Sequence, residues 1–356
     1  MKSNLFLELV RVSIGNSDKL SHMPSAVEWE ELFVESQKQS IAGFIFNTLD
    51  NLSKKGQKIP SALLFEWFGL TEQIKRQNLL INQKCDEVIR IFADGGFKSC
   101  ILKGQGNSAM YPIPLLRTSG DIDIWVDGKK DDIIRFVKKS FPYIDTRASA
   151  HHVEYPVFDN VEVEVHYMPT YSILRRLQSN MDMFIKSNKE EQFDNQYVFL
   201  DKKIRINVPT SSFNIVFQIS HMQRHFFISG LGLRHIIDFY YLLKYSFMKV
   251  NSCDVVEQLS ELGLLKFAQG VMWILNDILG LDEKYLITKS DKSRGTLILD
   301  EILKGGNFGH YDQRFSKKIR SKSATLSSIL RNMRMISLFP EEAVSAPITS
   351  VIRRFF

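Results

Sequence analysis

The chain has no run of 18 apolar residues, so the sequence predicts no membrane-spanning helix. Its 356 residues include only three cysteines, Cys85, Cys100 and Cys253, with neither a C-x-x-C pair nor a zinc spacing. That excludes a disulfide framework and cysteine-held zinc, and it predicts buried thiols in a reducing, cytoplasmic compartment. Glycine and proline are sparse, at 19 and 10, which excludes a fibrous or linker-rich protein. Charge of one sign is not in large excess: 46 basic against 40 acidic residues leave +6. This balance suits anionic ligands such as phosphates, but it does not by itself mark a nucleic-acid binder. The opening MKSNLFLELVRVSIG carries Glu8 and Arg11 inside its apolar stretch, so it reads as an amphipathic helix rather than a leader.

What remains is a globular composition, 44% hydrophobic and 24% charged, with material for about two domains. Residues 1–94 read as an N-terminal helical region. Trp29, Leu32, Phe33, Ile41 and Phe44 recur at a period of about 3.6 residues through 29–52. A second helix runs over 71–94, with a stripe of Ile74, Leu79, Ile81, Val88, Ile89 and Phe92, and stops at Gly95-Gly96. Residues 95–209 change texture. FKSCILKG (97–104) reads as a buried strand leading into a short helix, and DIDIWVD (121–127) as a strand. KKDDIIRFVKKSF (129–141) reads as an amphipathic helix, HHVEYPVF and VEVEVHY (161–167) as strands, and 197–209 as a hairpin turning at Asp201-Lys202-Lys203. Residues 210–356 read as a C-terminal helical domain. The expected fold class is α+β, a mixed sheet with helices between two helical regions.

The segment 102–127 carries the chemistry. Asp121 and Asp123 leave the same face of their strand, roughly 7 Å apart along it. Ile122 and Ile124 turn to the core. Neither carboxylate has a cation on its own strand, so their repulsion calls for solvent or a divalent cation. Removing one of them is expected to relieve strain. Carboxylate oxygens suit Mg²⁺. A third acid lies on VEVEVHY, where Glu162, Glu164 and His166 share one face and Val161, Val163 and Val165 the other. If that strand lies beside the first, one glutamate completes a three-carboxylate cluster able to hold two metals. Gly104 marks a strand-to-helix corner whose backbone N–H groups suit a phosphate, with Lys103 beside it.

Leu102-Lys103-Gly104, Arg117, Ser119 and Asp121-Ile122-Asp123-Ile124-Trp125-Val126 together resemble the DNA polymerase β-type nucleotidyltransferase superfamily. More closely, the chain resembles the bacterial uncharacterised nucleotidyltransferase family, in which Leu-Lys-Gly stands for the superfamily's Gly-Ser and an acid precedes a histidine by two, as in Glu164-Val165-His166. The Trp29 helix, His221, Arg234 and Asp238, and Gly306-Asn307-Phe308-Gly309 resemble its flanking regions. The resemblance implies two Mg²⁺ held by Asp121, Asp123 and Glu164, and an NTP donor gripped by Lys103, Gly104, Arg117 and Ser119. It implies nucleotide transfer to a hydroxyl with release of pyrophosphate. Glu164 either ligates metal or takes the acceptor's proton.

Several residues keep two readings. Glu162 is the alternative to Glu164 as third acid. Arg117 either binds phosphate or pairs with an acid. His166, Arg234 and Asp238 are candidates for the substrate cleft, with Arg234 and Asp238, at i, i+4, also an expected ion pair. His221 and His225 lack a nameable third metal ligand. Residues 314–334 hold seven basic and no acidic residues, which suits RNA, but the pattern of Ile319, Leu326, Ile329 and Leu330 favours an amphipathic helix. The reading is therefore a Mg²⁺-dependent nucleotidyltransferase using an NTP and an unidentified acceptor, a small molecule or a protein, with no membrane partner. The alternatives are a nucleotide-binding protein without chemistry on the same fold and an RNA-directed enzyme.

Overall fold

The computed structural model describes residues 2–142, 149–199, 204–314 and 329–355. Helix α1 (Lys2–Ser13) is followed by α2 (Ala26–Lys38), whose start is fixed by a capping box. The Ser25 hydroxyl accepts from the Glu28 N–H, and the Glu28 carboxylate accepts from the Ser25 N–H. The single period read over 29–52 is in fact two helices. The chain turns at Ser40, in the left-handed region at φ 56°, before α3 (Ala42–Lys54). Buried Gln39 secures this corner: its amide donates to the Ile302 carbonyl (3.0 Å) and its oxygen accepts from the Leu233 N–H (2.9 Å). Helix α4 (Ser61–Asp94) buries Ile74, Ile81, Val88 and Phe92 as expected, whereas Leu79 is exposed.

The sheet is built from β1 (Ser99–Ile101), β2 (Ile122–Val126), β3 (His152–Glu154) and β4 (Val163–His166), in the order β1-β2-β4-β3. Only β2 and β4 run parallel; the outer pairs are antiparallel. Between these strands lie the short α5 (Gln105–Ser108) and α6 (Lys130–Ser140). After α7 (Gln178–Gln192), strands β5 (Gln196–Phe199) and β6 (Ile204–Asn207) form the expected hairpin; its turn, 200–203, lies outside the described residues. The apolar faces of α4 and α6 and the inward residues of β2 and β4, among them Ile122, Ile124, Val163 and Val165, share one core. A larger core joins α1–α3 to the C-terminal helices α8 (Ser211–Ile228), α9 (Leu233–Ser246), α10 (Ser252–Glu261), α11 (Leu265–Trp273), α12 (Lys292–Gly305) and α13 (Pro340–Phe355). The helices at the two ends of the chain thus bury their apolar faces against each other.

The α8–α9 turn at Gly230-Leu231-Gly232 packs against the loop 306–309. A Cβ on Gly230, whose φ is +118°, would lie 2.5 Å from the Gly309 nitrogen. Gly230→Ala is therefore expected to cost about 1–3 kcal/mol, read as a lower urea midpoint. An unchanged midpoint would mean that this junction is loose.

One expectation is corrected and one lies largely outside the described residues. Cys85 and Cys100 are buried free thiols, but Cys253 is exposed, because its place at the start of α10 faces solvent. The basic segment read over 314–334 cannot be followed from end to end, since 315–328 lie outside the described residues. No described helix is long and apolar enough to cross a membrane.

Candidate active site

The parallel pairing of β2 with β4 sets the site. Its register puts Asp123 opposite Glu164 and Trp125 opposite His166. Alternation then brings Asp123, Glu164 and His166 to one face, with a ligand atom of each within 4.8 Å of the others. Glu162 does not join them; it precedes the strand and its side chain is exposed. Asp121, just before β2, is half-buried and lines the same cleft, but it stands outside that three-residue group.

Asp123 is almost fully buried, at 1% exposure. Its Oδ1 receives the Lys103 ammonium at 3.0 Å and His166 Nε2 at 2.9 Å. Its Oδ2 is buried with no hydrogen-bond partner among the described residues. Lys103 arrives from the end of β1. The next residue, Gly104, turns the chain at φ 60° into α5 and forms the wall facing Asp121, whose carbonyl oxygen would be 3.5 Å from an added Cβ. Helix α4 steadies the opposite side: Asn78 donates to the carbonyls of Leu115 (2.9 Å) and Arg117 (2.7 Å).

The protonation states follow from these contacts. Burial pushes the Asp123 and Glu164 carboxyls up, but Lys103, His166 and, for Glu164, His152 outweigh it and hold both below the usual range. Burial disfavours the charged forms of His166 and Lys103, yet the neighbouring carboxylates raise both. The centre thus holds anionic acids balanced by two cations. An oxygen-rich face with a buried, unpartnered carboxylate oxygen fits a divalent cation.

A second constellation lies where the loop after α5 meets α9. Arg117 forms a buried bidentate pair with Asp238, Nε to Oδ1 at 2.7 Å and Nη2 to Oδ2 at 2.8 Å. The Tyr111 hydroxyl donates to the same Oδ1 at 2.7 Å. Of the two readings for Arg117, the pair with an acid is the one formed. The i, i+4 pair expected between Arg234 and Asp238 is not. Arg234 instead donates to the Thr118 carbonyl at 2.9 Å, because Asp238 is already filled by Arg117 and Tyr111. Arg234 lines the cleft together with Asp238, His221, His235 and Phe308. Ser119 is half-buried in the intervening loop, outside the cleft-lining residues.

The third imidazole that the sequence reading lacked beside His221 and His225 is His235. The three ring centroids lie 4.3–6.0 Å apart. Burial keeps all three neutral, and among the described residues they do not form a metal-ligand group. Sequence reasoning also missed His151 and His152. The signal was the His-His pair at the start of a strand, with His152 opposite His166 across β3 and β4.

Residues 25–280 match the model of a family described as uncharacterised nucleotidyltransferases. The chain belongs to that family. The site lies within the matched span, as do all the residues singled out for it except Phe308. A search of curated proteins finds no match. Among solved structures, this family member has a distant likeness to an antigenic nucleotidyltransferase-like protein from Paracoccidioides brasiliensis. The identity is 13% over 63% of this chain and 96% of the other, with a TM-score of 0.32. That likeness is too remote to carry any argument.

Proposed function

We propose that this nucleotidyltransferase moves a nucleoside monophosphate from an NTP to an acceptor hydroxyl in a Mg²⁺-dependent reaction. The acceptor hydroxyl releases its proton to solvent, its oxygen bonds to the α-phosphorus, the bond from the α-phosphorus to the bridging oxygen breaks, and pyrophosphate leaves. The observation that carries this reading is the β2–β4 register, which sets the Glu164 carboxylate beside a buried Asp123 whose Oδ2 has no described partner. Asp121, Asp123 and Glu164 would hold the divalent cations. When bound, the metal neutralises phosphate charge and lowers the pKa of the attacking hydroxyl. Lys103 stays protonated among the acids and offers its charge to the phosphates beside Gly104. Both Arg117 and Arg234 line the cleft, but the Arg117 guanidinium is held by Asp238, so Arg234 is the one that faces an anionic substrate. His166 and His152 hold the Glu164 carboxyl below the usual range, and the anionic form is the one that ligates a cation.

One contact favours a second reading, a nucleotide-binding protein without chemistry. The Lys103 ammonium sits directly on Asp123, where it competes with a cation. The two glutamates supply the test. Glu164→Gln is expected to cut label transfer from α-³²P NTP by about 10²-fold or more, and Glu162→Gln to change it little. Equal activity in both variants would remove Glu164 from the site.

A further inference from the structure

The edge of the sheet beyond Glu164 carries imidazoles that nucleotidyl transfer does not use. Successive residues of a strand normally face opposite sides. His151 and His152 do not, because the chain bends at Ser149 immediately before β3. The Ser149 hydroxyl accepts from the His151 N–H (3.2 Å) and the His152 N–H (3.0 Å), and the Ser149 N–H donates to the His152 carbonyl at 2.8 Å. The two rings therefore meet nitrogen to nitrogen, His151 Nε2 to His152 Nδ1 at 3.0 Å. His152 Nδ1 is 3.7 Å from Glu164 Oε2, which is 3.4 Å from His166 Nε2. Ring nitrogens of His151, His152 and His166 all lie within 4.8 Å of one another.

The three ring nitrogens are close enough to ligate one ion, and Glu164 Oε2 lies beside two of the imidazoles, His152 and His166. Four donors at about 2.1 Å from a tetrahedral metal stand about 3.4 Å from each other. The outer contacts also match a metal site. His151 Nδ1 is paired with the Ser149 hydroxyl at 3.2 Å, which orients the ring so that Nε2 faces His152 Nδ1. His166 is almost fully buried, and its Nδ1 has no hydrogen-bond partner among the described residues. Three imidazoles and one carboxylate are a nitrogen-rich set. Such a set selects a borderline first-row metal, whereas an all-oxygen set suits Mg²⁺.

We infer that His151, His152, His166 and Glu164 form a second metal site, one that takes a borderline divalent ion such as Zn²⁺, with Glu164 shared between it and the Asp121–Asp123 carboxylates. The inference does not depend on nucleotidyl transfer. An inactive protein that binds Zn²⁺ here would uphold it while sinking the proposed activity, and an active protein without this site would do the reverse.

The test is a Zn²⁺ titration of the chelator-treated full chain against a chromogenic chelator, with excess Mg²⁺ present. One Zn²⁺ per chain is expected, not displaced by Mg²⁺. The double variant His151→Ala/His152→Ala is expected to weaken binding about 10²-fold or more, with an unchanged far-ultraviolet circular dichroism spectrum. Should that variant misfold, His151→Gln at the half-exposed position is expected to show a smaller loss in the same direction. Co²⁺ gives an independent readout: the intense visible band of a low-coordinate nitrogen site in the wild type, lost in the variants. Zn²⁺ that Mg²⁺ displaces, or that the folded variants bind as the wild type does, would overturn the inference. So would Zn²⁺ lost on His225→Ala but kept in the His151/His152 variant.

Discussion

Asp123→Asn is expected to abolish nucleotidyl transfer, by about 10²–10³-fold or more, and to lower stability at the same time. The first effect follows from losing a buried anionic oxygen at the centre of the site. The second reverses what the sequence alone suggests. Read as one of two repelling carboxylates, Asp123 looks like a residue whose removal relieves strain. In the fold it is the counter-charge for Lys103 and His166. Neutralising it leaves a largely buried ammonium without its partner. The Lys103 side chain is 19% exposed and can swing toward water, which limits the cost to about 1–3 kcal/mol. Asp121→Asn, at a half-buried position outside that network, is expected to lose activity with little change in stability. Label transfer and urea unfolding on both variants separate the two cases. A stabilised Asp123→Asn protein would mean that repulsion between the aspartates dominates after all.

Asp238→Ala is expected to cost about 3–5 kcal/mol, the scale for leaving one partner of a buried ion pair uncompensated. Arg117 and Asp238 are both buried and share two hydrogen bonds, and Tyr111 adds a third. Burial alone would raise the Asp238 carboxyl, but Arg117, Arg234 and Tyr111 hold it below the usual range. A depressed carboxyl contributes stability that is fully present above the unfolded value, about 4, and is lost as the pH falls through the lower folded value. Asp238→Asn is therefore expected to have a flatter stability profile on the acid side than the wild type. Parallel profiles, or a loss below about 1 kcal/mol, would contradict a structural role for the pair.

What the sequence discloses here depends on the range of the interactions. The faces of β2 and β4 are legible because a period of two separates Asp121 and Asp123 from Ile122 and Ile124, and Glu164 from Val163 and Val165. The choice between Glu162 and Glu164 is not, because it is set by the parallel register of strands some 40 residues apart. The break at Ser40 leaves no trace in the pattern, since neither glycine nor proline marks it and tertiary contacts of Gln39 hold the corner. Arg234 and Asp238 match a helical pair by spacing. The competitor that displaces Arg234 is Arg117, which lies 121 positions from Asp238 in the sequence. His152 escapes notice because β3 is only three residues long and becomes meaningful only once it lies opposite His166.

The central claim is that Asp123 and Glu164, with Asp121 lining the same cleft, support nucleotidyl transfer. The most direct measurement incubates the purified full chain with each α-³²P NTP, Mg²⁺ and cell extract, beside Asp121→Asn, whose fold should be undisturbed. The account predicts Mg²⁺-dependent label on an acceptor for at least one nucleotide, with matching pyrophosphate release, and neither from the variant. Label transfer at the wild-type rate by folded Asp121→Asn would contradict it.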